Sequence, residues 1–489
     1  MNAERLLAHY EKVADAPDAI GRLRRFILDL AVRGKLVPQD PNDELASELL
    51  KRIANVKLDQ VGLPQGWRRA KIGSILEFQY GKGLKAAERS EEGPVPVFGS
   101  NGIVGFTVEP LTMRPSIIVG RKGSAGALNL CDGPSWTTDV AYFVEAPSFL
   151  DLRFMLNALA ALDLDKLGKG VKPGLSRSEA YDQIIALPPL AEQHRIAAKV
   201  DELMGLCDRL EAARTSREAT RDRLAAATFS RLNAPDPETF QADARFALDA
   251  VPALTVRPDQ IKALRQTILN LAVRGKLVEG TTAKAASVGD YRTLQNGYAF
   301  KSSWFSKSGV RLLRNANIGH DEIRWNDVVH LPEARLSEFG RFRLNEGDIV
   351  LTLDRPFITT GTKVARVSAD DLPSLLLQRV GRFIEASPGL DDDYLFLWIN
   401  SPHFNDQIDP GRSNGVPHIS SKQVEAAKIF VPPLADQHRI VAKVGALMAL
   451  CDRLEGGLAS VVGHRRQLLD ALLAEALMPG EASRLEAAE

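Results

Sequence analysis

The feature that most constrains this chain is that it contains itself twice. Leu23–Val37 (LRRFILDLAVRGKLV) returns as Leu264–Val278 (LRQTILNLAVRGKLV), with 12 of 15 positions identical. Ala186–Ala213 returns as Phe430–Gly457 with 19 of 28 identical, at offsets of 241 and 244 residues. Two units of about 240 residues are too long and too few to stack as a solenoid, whose repeats are short and many. They predict one fold built twice, with pseudo-two-fold symmetry.

Between these anchors the copies diverge, but a thread survives. Gln79, Gly81 and Lys85 have the spacing of Gln295, Gly297 and Lys301. Pro134–Ala146 resembles Pro373–Ala386, and Gly170–Ser176 resembles Gly415–Ser420, each with one gap. The second copy carries extra residues between about Ser306 and Asn345. Similar scaffolds with unlike loops imply related tasks on different targets.

The repeated segments read as helices. Ile20, Leu23, Ile27 and Leu30 share one helical face, and Gly34 supplies a stop. After Pro188–Pro189 and Pro432–Pro433, longer helices begin. In the second copy Ile440, Val444, Leu447, Cys451, Leu454, Leu458, Val461, Leu468 and Leu472 keep the four-three spacing of a coiled-coil seam. The first copy starts alike with Ile196, Val200, Leu203, Cys207 and Leu210, then places Arg214, Arg217 and Arg221 on the seam. Cys207 and Cys451 read as small buried apolar residues. The regions between are different: Pro94–Val108, Ser116–Gly120 and Asp348–Leu353 are short β-rich runs, interrupted by helical patches such as Leu150–Leu162. The fold class is therefore α+β. Two similar α/β domains alternate with long helices that form an antiparallel coiled-coil spacer. The expected divisions are a helical segment 1–58, a domain 59–187, a helical region 188–285, a second domain 286–431 and a helical region 432–489.

Composition narrows the function mainly by what is missing. There is no G-x-x-x-x-G-K-[ST] phosphate loop, no H-E-x-x-H or C-x-x-C metal pair, no Asn-Pro-Pro-aromatic motif of an amino-methyltransferase and no G-x-S-x-G elbow. Gly120–Gly126 is glycine-rich but lacks the lysine-hydroxyl ending. These absences argue against a self-contained methyltransferase or nuclease. No apolar run reaches the roughly 18 residues of a membrane span, and the first residues lack the apolar core of a secretory signal. With three cysteines and no disulfide framework, a reducing cytosol is the expected location. The 62 basic and 62 acidic residues balance, which would disfavour a polyanion partner if positive charge were not segregated. It is segregated: Lys166–Ser178 holds four basic residues and no acid, and Phe300–Gly319 holds Lys301, Lys307, Arg311 and Arg314. These basic loops argue against a scaffold that binds only proteins.

The helix ending L-A-V-R-G-K-L-V, the linker Pro38–Leu50, the L-P-x-G-W stretch at Leu63–Trp67 and the P-P-L-x-x-Q-H-R-I helix closely resemble the specificity subunits of type I restriction–modification systems. The resemblance covers essentially the whole chain. The second copy departs from it by lacking L-P-x-G-W, and its domain is expected to start near Ser287–Gly289. The resemblance implies two target-recognition domains reading the two parts of a split, asymmetric double-stranded DNA sequence, with the antiparallel helices setting the unread gap. It implies two modification subunits that carry S-adenosylmethionine and restriction subunits that use ATP and Mg, with no cofactor and no catalysis in this chain.

Specific reading needs donors and acceptors at base edges, while phosphate contacts fix register. In the first domain the candidate DNA-binding residues are Lys82, Lys85, Ser100, Asn101, Arg121, Lys122, Lys169, Lys172 and Arg177. In the second they are Tyr298, Lys301, Arg311, Arg314, Asn315, Arg355, Lys363, Arg412, Asn414, His418 and Lys422. The repeated Q-H-R, Gln193, His194 and Arg195 with Gln437, His438 and Arg439, is the candidate partner-facing motif. Two equivalent histidines could be catalytic, but each sits at the start of a helix just past a Pro-Pro corner, and an orienting or packing role is the preferred reading.

Overall fold

The computed structural model describes residues 15–50, 62–167, 174–234, 236, 238–409, 411–413 and 416–477. It divides into two compact units, Met1–Arg217 with Val462–Glu489, and Glu218–Val461. No helix among the described residues is long and apolar enough to cross a membrane.

In the first unit a lead helix, α1 (Ala19–Val32), ends before Gly34, whose φ of +64° a side chain would resist. The head that follows contains β1 (Arg68–Lys71), β2 (Gln79–Tyr80), β3 (Val95–Phe98), β4 (Ile103–Thr107), β5 (Ser116–Gly120), β6 (Leu128–Cys131), β7 (Trp136–Thr137), β8 (Ala141–Val144), α2 (Leu152–Ala161), α3 (Arg177–Tyr181) and β9 (Ile184–Leu187). β1 and β9 pair antiparallel, Arg68 opposite Leu187, so the head is tied shut at its two ends. An antiparallel sheet runs β2-β8-β5-β6, and a three-stranded one runs β4-β3-β7 with β3 and β7 parallel. The two-residue period of strands explains the core. Ile117, Val119, Tyr142 and Val144 join Phe154, Met155 and Leu159 of α2 in one apolar cluster, while Ile118, Ala141 and Phe143 join Phe98 in another.

The long helix α4 (Leu190–Asn233) supplies Ile196, Val200, Leu203, Cys207 and Leu210 to the first of these clusters, where they meet Ile20, Leu23 and Ile27 of α1. The helices run antiparallel. Arg24 reaches Asp208 and Glu211 at 2.7 Å each, and at the opposite end Arg217 pairs with Asp15. Arg214 and Arg217 thus leave the apolar pattern where they reach the chain before α1, Arg214 donating to the Ala16 carbonyl at 3.4 Å, whereas Arg221 pairs with Glu218 at 2.7 Å. Helical residues beyond Val462 complete this unit, with Leu469, Leu472 and Leu473 packed among Ala16, Ala19 and Phe26, and Asp470 paired with Arg22.

The second unit repeats the design. It holds the last turns of α4, then α5 (Phe240–Leu254), α6 (Pro258–Val273), β10 (Lys284–Ser287), β11 (Arg292–Asn296), β12 (Val310–Leu313), β13 (His330–Leu331), β14 (Ile349–Thr352), β15 (Phe357–Ile358), β16 (Gly361–Thr362), β17 (Val364–Arg366), β18 (Ser374–Leu376), β19 (Val380–Glu385), α7 (Asp392–Ile399), β20 (Gly411–Ser413), β21 (Val416–His418), α8 (Ser421–Ala426), β22 (Lys428–Val431) and α9 (Leu434–Leu477). β10 pairs with β22 as β1 does with β9, and the sheets run β11-β19-β14-β17 and β13-β12-β18, with β12 and β18 parallel. The hairpins β15–β16 and β20–β21 are additions. Arg265 of α6 bonds Asp452 and Glu455 of α9 at 2.8 Å each, the counterparts of Asp208 and Glu211.

The seam of α9 divides between the units: Ile440 through Leu458 lies in the second unit's core, whereas Leu468 and Leu472 belong to the first unit. Val461, read from spacing as a seam residue, is 45% exposed at the division. Cys207 and Cys451 are buried in these clusters, and burial raises both thiols above the ordinary range.

Candidate nucleic-acid interface

Strand register makes the two heads directly comparable. Gly81 donates to the Ala141 carbonyl and Gly297 to Val380; Lys82 donates to Thr137 and Tyr298 to Leu376. Thr138 donates to Phe98 and Leu377 to Leu313, which sets Ser100 opposite Asn315 in the comparison. Leu175 donates to Arg121 and Ile419 to Leu353. The candidate residues Lys82 and Tyr298, Lys85 and Lys301, and Ser100 and Asn315 therefore hold equivalent places on one scaffold.

In the first head the loops after β2, β3 and β5 converge. A Cβ added at Gly120 would lie 2.5 Å from the Ser100 carbonyl, and Gly123 takes a φ of +83°. This close packing sets Arg121 and Lys122 beside Ser100. The Trp136 indole donates to the Lys82 carbonyl at 2.9 Å, and Arg121 donates to the Asp139 carbonyl at 3.1 Å. Lys82, Lys85, Asn101, Lys122 and Arg177 are exposed. Among the described residues none of these cations, nor Arg121, pairs with a carboxylate. Lys169 and Lys172 lie outside the described residues.

The second head differs. Tyr298 packs amid Phe300, Trp304, Phe339 and Phe342, with ring centroids 4.9–6.5 Å away, and Lys301 and Arg335 lie over Trp304 at 5.5 and 3.9 Å. Arg355 is exposed with φ +49°, and Lys422 is exposed. His418 Nδ1 meets Asp354 Oδ1 at 2.8 Å, with Arg379 Nη1 3.7 Å from the same oxygen.

Three further candidates in this head are engaged within the protein. Arg311 donates to the carbonyls of Asp370 and Leu372 and lies over Trp325 at 4.6 Å. Arg314 is paired with Asp327 at 2.7 Å. Lys363 donates to the Asn315 carbonyl at 2.5 Å, and burial, with Arg355 nearby, holds its ammonium below the usual lysine range. These three fix loops. Asn414 lies outside the described residues, as does the side chain of Arg412.

The repeated Q-H-R motif joins each head to its long helix. Gln193 and Gln437 are fully buried, so neither faces a partner. Gln193 accepts from the Asp151 amide at 2.9 Å and donates to the Pro188 carbonyl at 3.0 Å. Gln437 accepts from Asp391 at 2.8 Å and donates to Gly389 and Pro432 at 2.8 and 2.7 Å. Asp151 and Asp391 cap α2 and α7, and their second carboxylate oxygens meet His194 at 2.8 Å and His438 at 3.4 Å. Arg195 pairs with Asp43 at 2.6 Å, Arg439 with Asp436 at 2.8 Å. In the first copy the Trp67 indole also donates to Glu192 at 3.0 Å; burial pushes that carboxyl above its ordinary range.

Tyr80 and Arg379 are further candidate residues that the sequence did not single out. Tyr80 stands directly before the repeated glycine, and Arg379 directly before β19, so both lie at ladder ends where a side chain is held by backbone yet left exposed.

Two copies of one α+β head, each tied to a long helix and each ending in a different set of polar loops, define a duplicated recognition protein. The family model described as the type I restriction modification DNA specificity domain matches residues 64–220 and 287–462. The chain is 31% identical to the EcoAI specificity subunit of Escherichia coli over 93% of both chains, and 24% identical to the EcoEI specificity subunit of the same species over 94% of both. A solved structure described as a type I restriction–modification assembly shares the fold at a TM-score of 0.50 and 16% identity, covering 85% of this chain and 98% of that one. The chain belongs to the family of type I restriction–modification specificity subunits.

Proposed function

We propose that this chain reads a bipartite, asymmetric sequence in double-stranded DNA, one half through each head, and recruits modification and restriction subunits that perform the chemistry. S-adenosylmethionine, ATP and Mg belong to those partners in this reading. The observation that carries it is the equivalence of the reading ends. The same strand register puts Lys82 and Ser100 of one head where the other has Tyr298 and Asn315, and Arg121 where the other has the buried Leu353. Shared scaffolds with unlike polar side chains suit two half-sites of different sequence. Lys82, Arg121, Lys122 and Arg177 are the proposed contacts of the first head; Lys301, Arg355, His418 and Lys422 are those of the second.

Mapping methylated adenines in cells with and without the chain tests this. Expected are two short specified stretches separated by a gap of fixed length, lost without the chain. A single contiguous motif, or methyl transfer by the purified chain alone, would overturn the reading.

Two identical partner copies would need the same exposed surface twice. Leu206 and Leu450 are 41% and 45% exposed, and Arg209 and Arg453, one helical turn on, are exposed and unpaired among the described residues. No internal packing accounts for keeping these pairs at the 244-residue offset. Leu206→Asp should leave one modification subunit bound rather than two, and Leu206→Asp with Leu450→Asp none, as read by native mass spectrometry. Retention of both copies by the double variant would refute this surface.

A further inference from the structure

Tyr80 is the second residue of β2, pairs in register with Tyr142, and is 50% exposed. Two guanidiniums converge on its ring: the central carbon of Arg121 lies 5.0 Å from the ring centroid and that of Arg177 lies 5.2 Å away. Each also approaches a second tyrosine, Arg121 near Tyr142 at 5.9 Å and Arg177 near Tyr181 at 5.7 Å. Tyr142 is itself buried, with its ring 5.1 Å from that of Tyr80, so the platform has a rigid floor.

Like charges placed this close repel, and proteins ordinarily interpose a carboxylate. Elsewhere in this head they do: Arg114 pairs with Glu145, and Arg153 with Asp132 and Asp201. Arg121 and Arg177 have no carboxylate partner among the described residues; tyrosine faces, joined for Arg121 by the Asp139 carbonyl, offset their charge. A guanidinium lying on a ring keeps its N–H fork in its own plane, available to a planar pair of acceptors.

The second head replaces the whole group. By strand register Asn296 stands for Tyr80 and Leu353 for Arg121, and by the 244-residue offset Ser421 stands for Arg177. A trio that changes together while Gly81 and Gly297 stay the same serves the target rather than the scaffold.

We propose that Tyr80 is a positioning residue that holds Arg121 and Arg177 as paired readers of guanine edges, whose O6 and N7 form the acceptor pair such a fork fits, in the half-site taken by the first head. This rests on the DNA-reading function proposed above and adds the base and the residues. The test co-expresses the chain with its modification subunits in a methylation-free host and maps modified sites. Expected is at least one guanine, on either strand, in the first head's half-site. Tyr80→Phe, which keeps the ring, should methylate the native target within twofold of wild type. Tyr80→Ala should lose at least tenfold at that target and accept other bases at guanine positions of one half-site only. Arg121→Lys and Arg177→Lys, which keep charge but not the fork, should relax the same positions. Unchanged specificity in Tyr80→Ala together with both lysine variants would overturn the proposal, as would equal weakening on every DNA sequence, the mark of a phosphate contact. Absence of any methylation with the wild-type chain would instead strike the underlying function.

Discussion

Replacing Gln437 with leucine will destabilise the second head by on the order of 3–5 kcal/mol, because three backbone groups lose their only described partner at once. The side chain accepts from the Asp391 amide and donates to the carbonyls of Gly389 and Pro432, all from a fully buried position. A buried polar group stripped of its partner costs about 1–3 kcal/mol, and added apolar burial returns only part of that. Gln193→Leu strands two groups rather than three, the Asp151 amide and the Pro188 carbonyl, and is expected to cost less. Because Asp391 also caps α7, the damage should spread to the helix start. Hydrogen exchange at the Asp391 amide and thermal melting measure both effects. A Gln437→Leu protein within about 1 kcal/mol of wild type would show that the glutamine is not what joins head to helix.

Gly81→Ala is expected to detach the loop after β2, which carries the proposed contact Lys82. The new Cβ would fall 2.1 Å from the Thr138 carbonyl oxygen and 2.6 Å from that of Thr137. Both obstacles are backbone, so no rotamer change relieves them. Movement breaks the bonds from the Gly81 and Lys82 amides to Ala141 and Thr137. Overpacking of this kind costs about 1–3 kcal/mol and more where backbone must shift. Gly297→Ala meets the same obstacle in the second head, 2.2 Å from the Leu377 oxygen. Each should reduce DNA methylation at least a hundredfold. Gly133→Ala, which meets nothing within 4 Å, serves as the matched control. Full activity in both loop variants would mean that this close backbone approach does not shape the proposed DNA-contacting loops.

Some of this was written plainly in the chain. The spacing Gln-x-Gly was visible in both copies, though not its cause: each glycine passes close to another backbone segment, at Thr138 and at Leu377. The apolar period of the long helices was equally plain, but not its partner, because a seam states what faces inward and not which element it faces. Ile196 and Val200 settle against Ile20 and Ile27 of the lead helix in their own unit. The parallel pairs β3–β7 and β12–β18 bring together residues nearly 40 and more than 60 positions apart, with no local signal to announce them.

Loop cations were the least legible. Arg311, Arg314 and Arg121 look alike in sequence, yet Arg314 is paired with a carboxylate and Arg311 is bound to two carbonyls and a tryptophan face, whereas Arg121 meets one carbonyl and rests on two tyrosine rings. The difference lies in whether an acceptor happens to be folded alongside. Gln193 and Gln437 misled in the opposite direction. A polar side chain at a helix start suggests an outward face, but these two point into the gap between helix and head, where only an amide can serve a donor and acceptors together.

The unequal way in which the chain closes its two units bears on synthesis. Glu218–Val461 is one uninterrupted stretch, whereas the other unit needs residues from both ends of the polypeptide. On the ribosome, the later-made unit has all its parts before the earlier-made one, whose lead helix must wait for Leu469, Leu472 and Leu473 to cover Phe26. A premature stop near residue 465 would consequently spare the head nearest the lesion in sequence and expose the apolar flank of the one farthest from it.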